Sequence, residues 1–420
     1  MVSNQLAYSR HDFGIKYEYA RQVCKFGEAS RYIKSLYLSH VRCWNSFLED
    51  NKACAHDFLD SYHSLIGACQ HAQSAASVLN LPPVSVSNSE YLVNGVHRLA
   101  ATMLTGLTVD QIETPSPYKY RKDFFEAYSN PHDGSKFSTG LISEMSRLFI
   151  ESIPCNIVFI LPRAIAHDNG LYAESTLTSS DKFIFRQRYK IPNRLLMVLV
   201  AHFYYDQAWI ASDQGLDWQA ILFKTRQILN SAGLQYIDCY IFSSNGQDLI
   251  EAKQNIRSYY KIENSSVHST DTPLQAEIAF QFLSTISNLS ELWNSNSSPF
   301  SKVVNQYLFR EIKNPSHSSN SDKILVGSSI SDIGGCRSAN DIDFLFRENN
   351  REAPPINSHN KYFYLYPTSI NELIDNPCYF FYLFGHKVLS LAPYLYFKGM
   401  RSEPKDLEDQ HLFSMPFNVQ

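Results

Sequence analysis

The strongest constraint on the fold is an alternation of strand-like and helix-like segments between residues 155 and 286. Residues 155–161, 183–189, 236–242 and 267–270 read as strands. Residues 194–205, 218–229, 247–260 and 273–286 read as helices. Pro192 stands where the first of these helices starts, and Gly233 ends the second. Pro273, after Asp271-Thr272, opens the last. A β-α-β-α order of this kind predicts a partly parallel sheet.

The flanks differ from this block. Residues 21–69 read as helices, with Leu36, Val41, Trp44 and Phe47, then Phe58, Tyr62 and Leu65, near helical spacing. Pro82-Pro83 stops that pattern. Strands follow at 84–86 and 91–93 around a turn at Asn88-Ser89. Gly95 comes next, a helix follows over 97–104, and Gly106 is placed to cap it. Beyond 295, Ser/Asn-rich loops at 294–299 and 315–321 precede a strand at 323–327, a Gly-rich turn and a strand at 341–346. A further strand at 362–366 leads into a helical C-terminus. The expected class is α/β with α+β character. The expected division is 1–150, 151–295 and 296–420.

Charge narrows the function classes. The 420 residues carry 37 basic and 41 acidic side chains, a formal net charge of −4, which excludes a dominant non-specific nucleic-acid footprint. With 44% apolar residues the chain is too hydrophobic for disorder. Its eight cysteines include no CxxC pair, so they read as buried reduced thiols and not as a zinc ribbon or redox motif. The N-terminus lacks an apolar leader segment. Residues 379–397 come nearest to a membrane span, but His386, Lys387 and Pro393 interrupt them, and a pair of core helices is expected there. These features predict a soluble, cytoplasmic protein with no membrane span. The oligomeric state is not encoded in any of them.

Two motifs carry chemistry. The first is Asn94-Gly-Val-His-Arg98, at the junction of strand and helix. Gly95 permits a tight turn and brings His97 and Arg98 to a helix N-terminus, where free N–H groups favour an anion. Arg98 can grip phosphate bidentately, and His97 can donate a hydrogen bond or move a proton. The motif resembles the Gly-x-His-Arg turn of the ParB/sulfiredoxin fold, which holds nucleotide phosphates after a short hairpin and includes free-serine kinases. The likeness covers about 58–112. Val96 stands where a sulfiredoxin has its cysteine, which argues against sulfinic-acid repair. The resemblance implies phosphate binding by Asn94, Gly95, His97 and Arg98, with Glu90 or Asp57 as the acid that deprotonates an acceptor.

The second motif is Gly327-Ser328, a loop, then Asp341-Ile-Asp343. Carboxylates two apart on a strand face the same side and suit Mg²⁺ bridging triphosphate oxygens. Gly327-Ser328 offers donors to the same phosphates. This pattern is similar to the nucleotidyltransferase superfold. The likeness extends to a downstream cluster including Lys398 and Lys405-Asp406, and Arg337 lies within the loop. It implies metal at Asp341 and Asp343 and phosphate contacts from Gly327, Ser328, Arg337 and Lys398. Such proteins carry a third carboxylate on a later strand; the strand expected at 362–366 has none.

The central block adds Lys253 and Arg257, four apart, with His268 at the end of a strand, where open α/β sheets bind ligands. Near the N-terminus, Arg10 to Tyr17 mixes charge with apolar residues. Together the segments resemble uncharacterised proteins of bacterial capsule and lipopolysaccharide loci, which join a ParB-like to a nucleotidyltransferase-like region. The leading expectation is a Mg²⁺-dependent, kinase-like phosphotransferase. It would use ATP, ADP or CTP on a sugar or small hydroxylated acceptor in surface-glycan biosynthesis. The alternatives are nucleotidyl transfer to a sugar phosphate at Asp341/Asp343, or a non-enzymatic ParB-like module binding nucleotide or, less in keeping with the charge, nucleic acid.

Overall fold

A computed structural model describes residues 2–49, 52–76, 79–212, 215–231, 235–243, 247–292, 304, 307–308, 311, 322–347 and 356–414. The loops expected at 294–299 and 315–321, and Gly233, lie outside these residues. The class is mixed α/β. The chain divides into two compact units. The first comprises 1–157, 177–187 and 240–246; the second comprises 158–176, 188–239 and 247–420.

In the first unit, helices Phe13–Phe26, Arg31–Asn45, Ala55–Ser74 and Thr139–Ser152 gather an aromatic core that includes Tyr19, Tyr37, Tyr62 and Phe125. Each such ring contributes roughly 2–3 kcal/mol by leaving water. Strands β1 (Val84–Ser87) and β2 (Tyr91–Asn94) pair antiparallel, and β3 (Gln111–Glu113) joins β1 in parallel. Asn88 and Ser89 both take positive φ (53° and 55°), the geometry of a two-residue primed turn that matches strand twist. Gly95, at φ 95°, ends the hairpin; a Cβ there would meet Val84 Cγ1 at 2.7 Å. The helix Val96–Thr105 begins at once and stops at Gly106, φ 67°.

The next elements are β4 (Cys155–Ile160), β5 (Phe183–Ile191), the short ribbon β6 (Ala211–Ser212) with β7 (Gly215–Leu216), β8 (Gln235–Ser243) and β9 (Val267–Ser269). Four of them form a sheet in the order β5-β8-β4-β9, with β9 antiparallel to β4. In the second unit, β10 (Lys323–Val326), β11 (Ile342–Phe346), β12 (Ile356–Ser358), β13 (Phe380–Leu383) and β14 (His386–Leu389) form a mixed sheet in the order β12-β11-β10-β14-β13. Gly327 is followed by a short helix, Ser328–Ile333, where a turn was expected.

Two expected elements are corrected. Residues 362–366 are not a strand: 362–365 belong to a 3-10 helix, Asn360–Leu365, and Tyr366 caps its end. The Asn360 amide accepts from Phe346 N (2.8 Å) and donates to Phe346 O (2.9 Å), replacing a strand partner at the end of β11. Residues 379–397 are not a helix pair but the β13–β14 hairpin followed by the helix Leu391–Arg401. Phe384 and Gly385, at φ 49° and 76°, close the hairpin as another primed turn. Lys387 is buried yet satisfied, donating to Ile374 O at 2.7 Å. Cys54 and Cys378 are exposed, against the expectation of buried thiols, and all eight cysteines are unpaired. No helix of the described residues is long and apolar enough to cross a membrane.

Candidate functional site

At the first motif the backbone has the expected order, but the side chains point elsewhere. His97 turns inward: its Nε2 lies 3.0 Å from Tyr37 Oη, and its ring meets Tyr62 edge-on at 4.6 Å. Burial, reinforced by nearby Lys16, holds His97 well below the ordinary histidine pKa, so it stays neutral. Arg98 is half-buried, and its Nε is enclosed without a hydrogen-bond partner. Asn94 is engaged locally, its Oδ1 accepting from Gly95 N at 2.6 Å. Asp57 accepts from Ala53 N and Cys54 N (2.9 and 3.0 Å), capping the helix Ala55–Ser74. Glu90 is exposed at the hairpin turn. The structure therefore does not bring Asp57 or Glu90 to His97 as a hydrogen-bonded pair.

Sequence reasoning missed a charged cluster in the same unit. Asp12, with no exposed surface, accepts two bonds from Arg10 (2.8 Å each) and pairs with Lys16; His40 Nε2 lies 3.3 Å away. Arg10 also donates to Val93 O at 2.9 Å and lies 4.3 Å over the Tyr120 ring. Burial alone would raise the Asp12 pKa, but Arg10 and Lys16 overcome it and hold the carboxyl well below its usual range. Burial lowers Lys16 to about 8 and His40 to about 4. The i,i+4 spacing of Asp12 and Lys16 was the legible signal; the contribution of His40, from another helix, was not.

At the second motif, Asp341 and Asp343 do converge. Ser328 Oγ donates to Asp341 Oδ1 at 3.3 Å, and Asn357 Nδ2 donates to Asp341 Oδ2 at 3.1 Å. A side chain at 327 would collide with the Asp343 carboxylate, so only glycine lets the strand end and the acid meet. Burial, with Asp341 adding repulsion, raises Asp343 to about 6; Arg401, Asn357 and Lys398 offset only part of this. Neither acid forms an ion pair among the described residues.

β12 pairs in parallel with β11, and Asn357 stands opposite Asp343. An amide, not a carboxylate, therefore borders the pair. Arg337 and Lys398, expected at phosphate, are engaged elsewhere. Asp409 accepts from Arg337 (2.6 Å) and pairs with Lys398 (2.7 Å), while Asp406 accepts from Lys398 (2.7 Å) and Arg401 (2.6 Å). Burial works against these acids, but their cationic partners win, and Asp409 falls to about 2.

A hard divalent cation would find two repelling carboxylate oxygens here, one of them costly to ionise alone, which suits Mg²⁺. Among the described residues no group of three or more His, Cys, Asp or Glu is arranged to hold a metal. The fit thus rests on the Asp341/Asp343 pair, with remaining ligands to come from substrate.

Lys253, Arg257 and His268 are brought together in a third place, a cavity of about 450 Å³ within the second unit. No protein-family model, curated protein or solved structure matches the chain.

Proposed function

We propose that the chain is a Mg²⁺-dependent nucleotidyltransferase acting at Asp341 and Asp343, with a sugar phosphate as acceptor, in the making of a surface glycan. One observation carries this reading: two unpaired carboxylates, two residues apart, pressed against a Gly-Ser strand end, one of them raised to about 6. Bound Mg²⁺ would supply charge neutralisation for a nucleoside triphosphate, ATP or CTP. Asp341 and Asp343 would hold it, Ser328 would keep Asp341 oriented, and Gly327 would leave room for the phosphates.

Asn357 favours a phosphate acceptor over a free hydroxyl. An amide cannot take a proton from an attacking alcohol. A phosphate monoester, with its second pKa near 6, is already ionised at neutral pH and needs no base. Its oxygen attacks the α-phosphorus, the bond from that phosphorus to the bridging oxygen breaks, and pyrophosphate leaves.

The test is pyrophosphate release by the full chain with Mg²⁺, ATP or CTP and a panel of sugar 1-phosphates. Release is expected in the wild type and at least 100-fold less in Asp343→Asn. Undiminished release in that variant, or no release together with no Mg²⁺-dependent nucleotide binding, overturns the reading. The kinase-like alternative at Arg98 keeps one support, its partnerless guanidinium nitrogen beside the Gly95 turn. His97, committed to Tyr37, gives it none.

A further inference from the structure

The cavity of the second unit has chemistry that the Asp341/Asp343 reading does not use. It lies among the helices Asn193–Tyr204, Trp218–Ile228 and Gln247–Tyr260 and the end of β9. Three cations line it, Lys224, Lys253 and Arg257, against one carboxylate, Asp271. None of the three forms an ion pair among the described residues. Lys253 Nζ donates to Ser269 Oγ at 2.8 Å, and Lys224 Nζ donates to Asn264 O at 3.1 Å and Gln227 Oε1 at 3.5 Å, which leaves at least one ammonium donor to spare on each. The Arg257 Nε is enclosed and has no hydrogen-bond partner.

Like charges brought together out of water repel, and a protein ordinarily spaces them or pairs them. Here Lys224 and Lys253 are pushed below the ordinary lysine pKa by burial and then by Arg257. Burial and the same three cations lower His268 to about 3, so it faces the cavity as a neutral ring. The cavity therefore holds two more positive than negative side chains, the complement of one phosphate dianion.

The remaining walls are aromatic. Tyr204 packs edge-on to His268 at 4.8 Å, and Trp209 and Phe223 keep 45% and 66% of their surface exposed. Such rings stack on a planar base or on the apolar face of a sugar.

We propose that this cavity binds a phosphate ester whose organic part is a ring, a sugar phosphate or a nucleotide. Arg257, Lys253 and Lys224 take the phosphate, and Trp209 and Tyr204 take the ring. The assignment is independent of chemistry at Asp341/Asp343, and EDTA keeps the two apart in the experiment.

The test is calorimetric titration of the full chain, in EDTA, with four probes: inorganic phosphate, glucose 1-phosphate, AMP and unphosphorylated adenosine. Glucose 1-phosphate or AMP should bind at least 10-fold more tightly than inorganic phosphate, and adenosine should not register. The better ester identifies the ring. Arg257→Gln and Lys253→Gln should each weaken binding at least 10-fold, and Asp343→Asn should leave it unchanged. Quenching of tryptophan emission by the ring-bearing ligand should disappear in Trp209→Phe. Should Arg257→Gln lower the thermal midpoint, Lys253→Gln carries the same test from a separate side chain. The proposal is overturned if a folded wild type binds none of the esters at millimolar concentration. It is also overturned if both glutamine variants bind as the wild type does, or if adenosine binds as well as AMP.

Discussion

The Gly95 and Gly327 turns share a plan and differ in depth. Each glycine takes positive φ, 95° and 69°, where a strand gives way to a helix, and each is followed by polar residues that resemble a phosphate motif. At Gly95 the imidazole goes into an aromatic core, in a unit whose Arg10, Asp12 and Lys16 are also sealed from water. At Gly327 the two carboxylates stop part-way out, and the cations near them are tied to Asp406 and Asp409. The lesson is that a glycine turn sets where the backbone goes, while the packing of other helices decides whether the chemistry beside it can meet a ligand.

The largest test of that contrast is a pair of matched substitutions. Asp12→Asn leaves Arg10 and Lys16 buried without a counter-charge, and should cost about 3–5 kcal/mol. Asp343→Asn removes a carboxylate that burial makes costly to ionise, and should leave stability unchanged or higher. Urea titrations of both variants at pH 7 measure this. A loss in Asp343→Asn as large as that in Asp12→Asn would mean that the acid pair is a structural element like the interior cluster.

Protons probe the same difference. Burial lowers His11 and His202 to about 3 and His40 to about 4. Each is neutral when folded but takes up a proton near pH 6.5 when unfolded. Their contribution is therefore complete above that value and is lost as pH falls towards the folded pKa, at about 1.4 kcal/mol per pH unit for each. Asp343 runs the other way: raised to about 6 from 3.8, it regains stability as pH falls through that window. The histidines outnumber it, so urea stability should drop between pH 7 and pH 5. In His202 the Nδ1 bonds Val198 O and the Nε2 accepts from Phe384 N, both at 2.8 Å, so the neutral ring is fully used. His202→Gln should flatten the slope, sparing about 2 kcal/mol of the loss at pH 5. An unchanged slope would place that ring in contact with water.

Much of the frame was legible. The order β1, turn, β2, Gly95, helix, Gly106 follows from proline, glycine and alternation, all local signals. The convergence of Asp341 and Asp343 was expected from strand period, although β11 begins at Ile342 and Asp341 immediately precedes it. What escaped depends on partners distant in sequence. Nothing near residue 97 announces Tyr37 and Tyr62. Lys398 looked available because Asp406 and Asp409 approach it from the next helix. The run 362–366 alternates like a strand, and only Asn360, folding back on Phe346, ends the pairing before it. Asn357, the residue bordering the acid pair, is visible only once β12 has a register.

Arg98 gives the smallest and sharpest comparison. Its guanidinium lies at the Gly95 turn with no acid paired to it, half-buried, with a pKa lowered by burial. A purely structural arginine would be missed through its packing, since its aliphatic stem covers apolar surface. An arginine kept for an anion would be missed only when the anion is present. Arg98→Ala should therefore shift wild-type stability by no more than about 0.5 kcal/mol in chloride, in the range of ordinary surface changes. In 10 mM phosphate the wild type should gain more thermal stability than this variant does. Phosphate binding also occurs in the proposed cavity, so the comparison is made in an Arg257→Gln background. If phosphate raises the midpoint of Arg257→Gln and of its Arg98→Ala derivative equally, the Gly95 turn holds no anion. Gly95 and Gly327 would then differ in kind and not merely in depth.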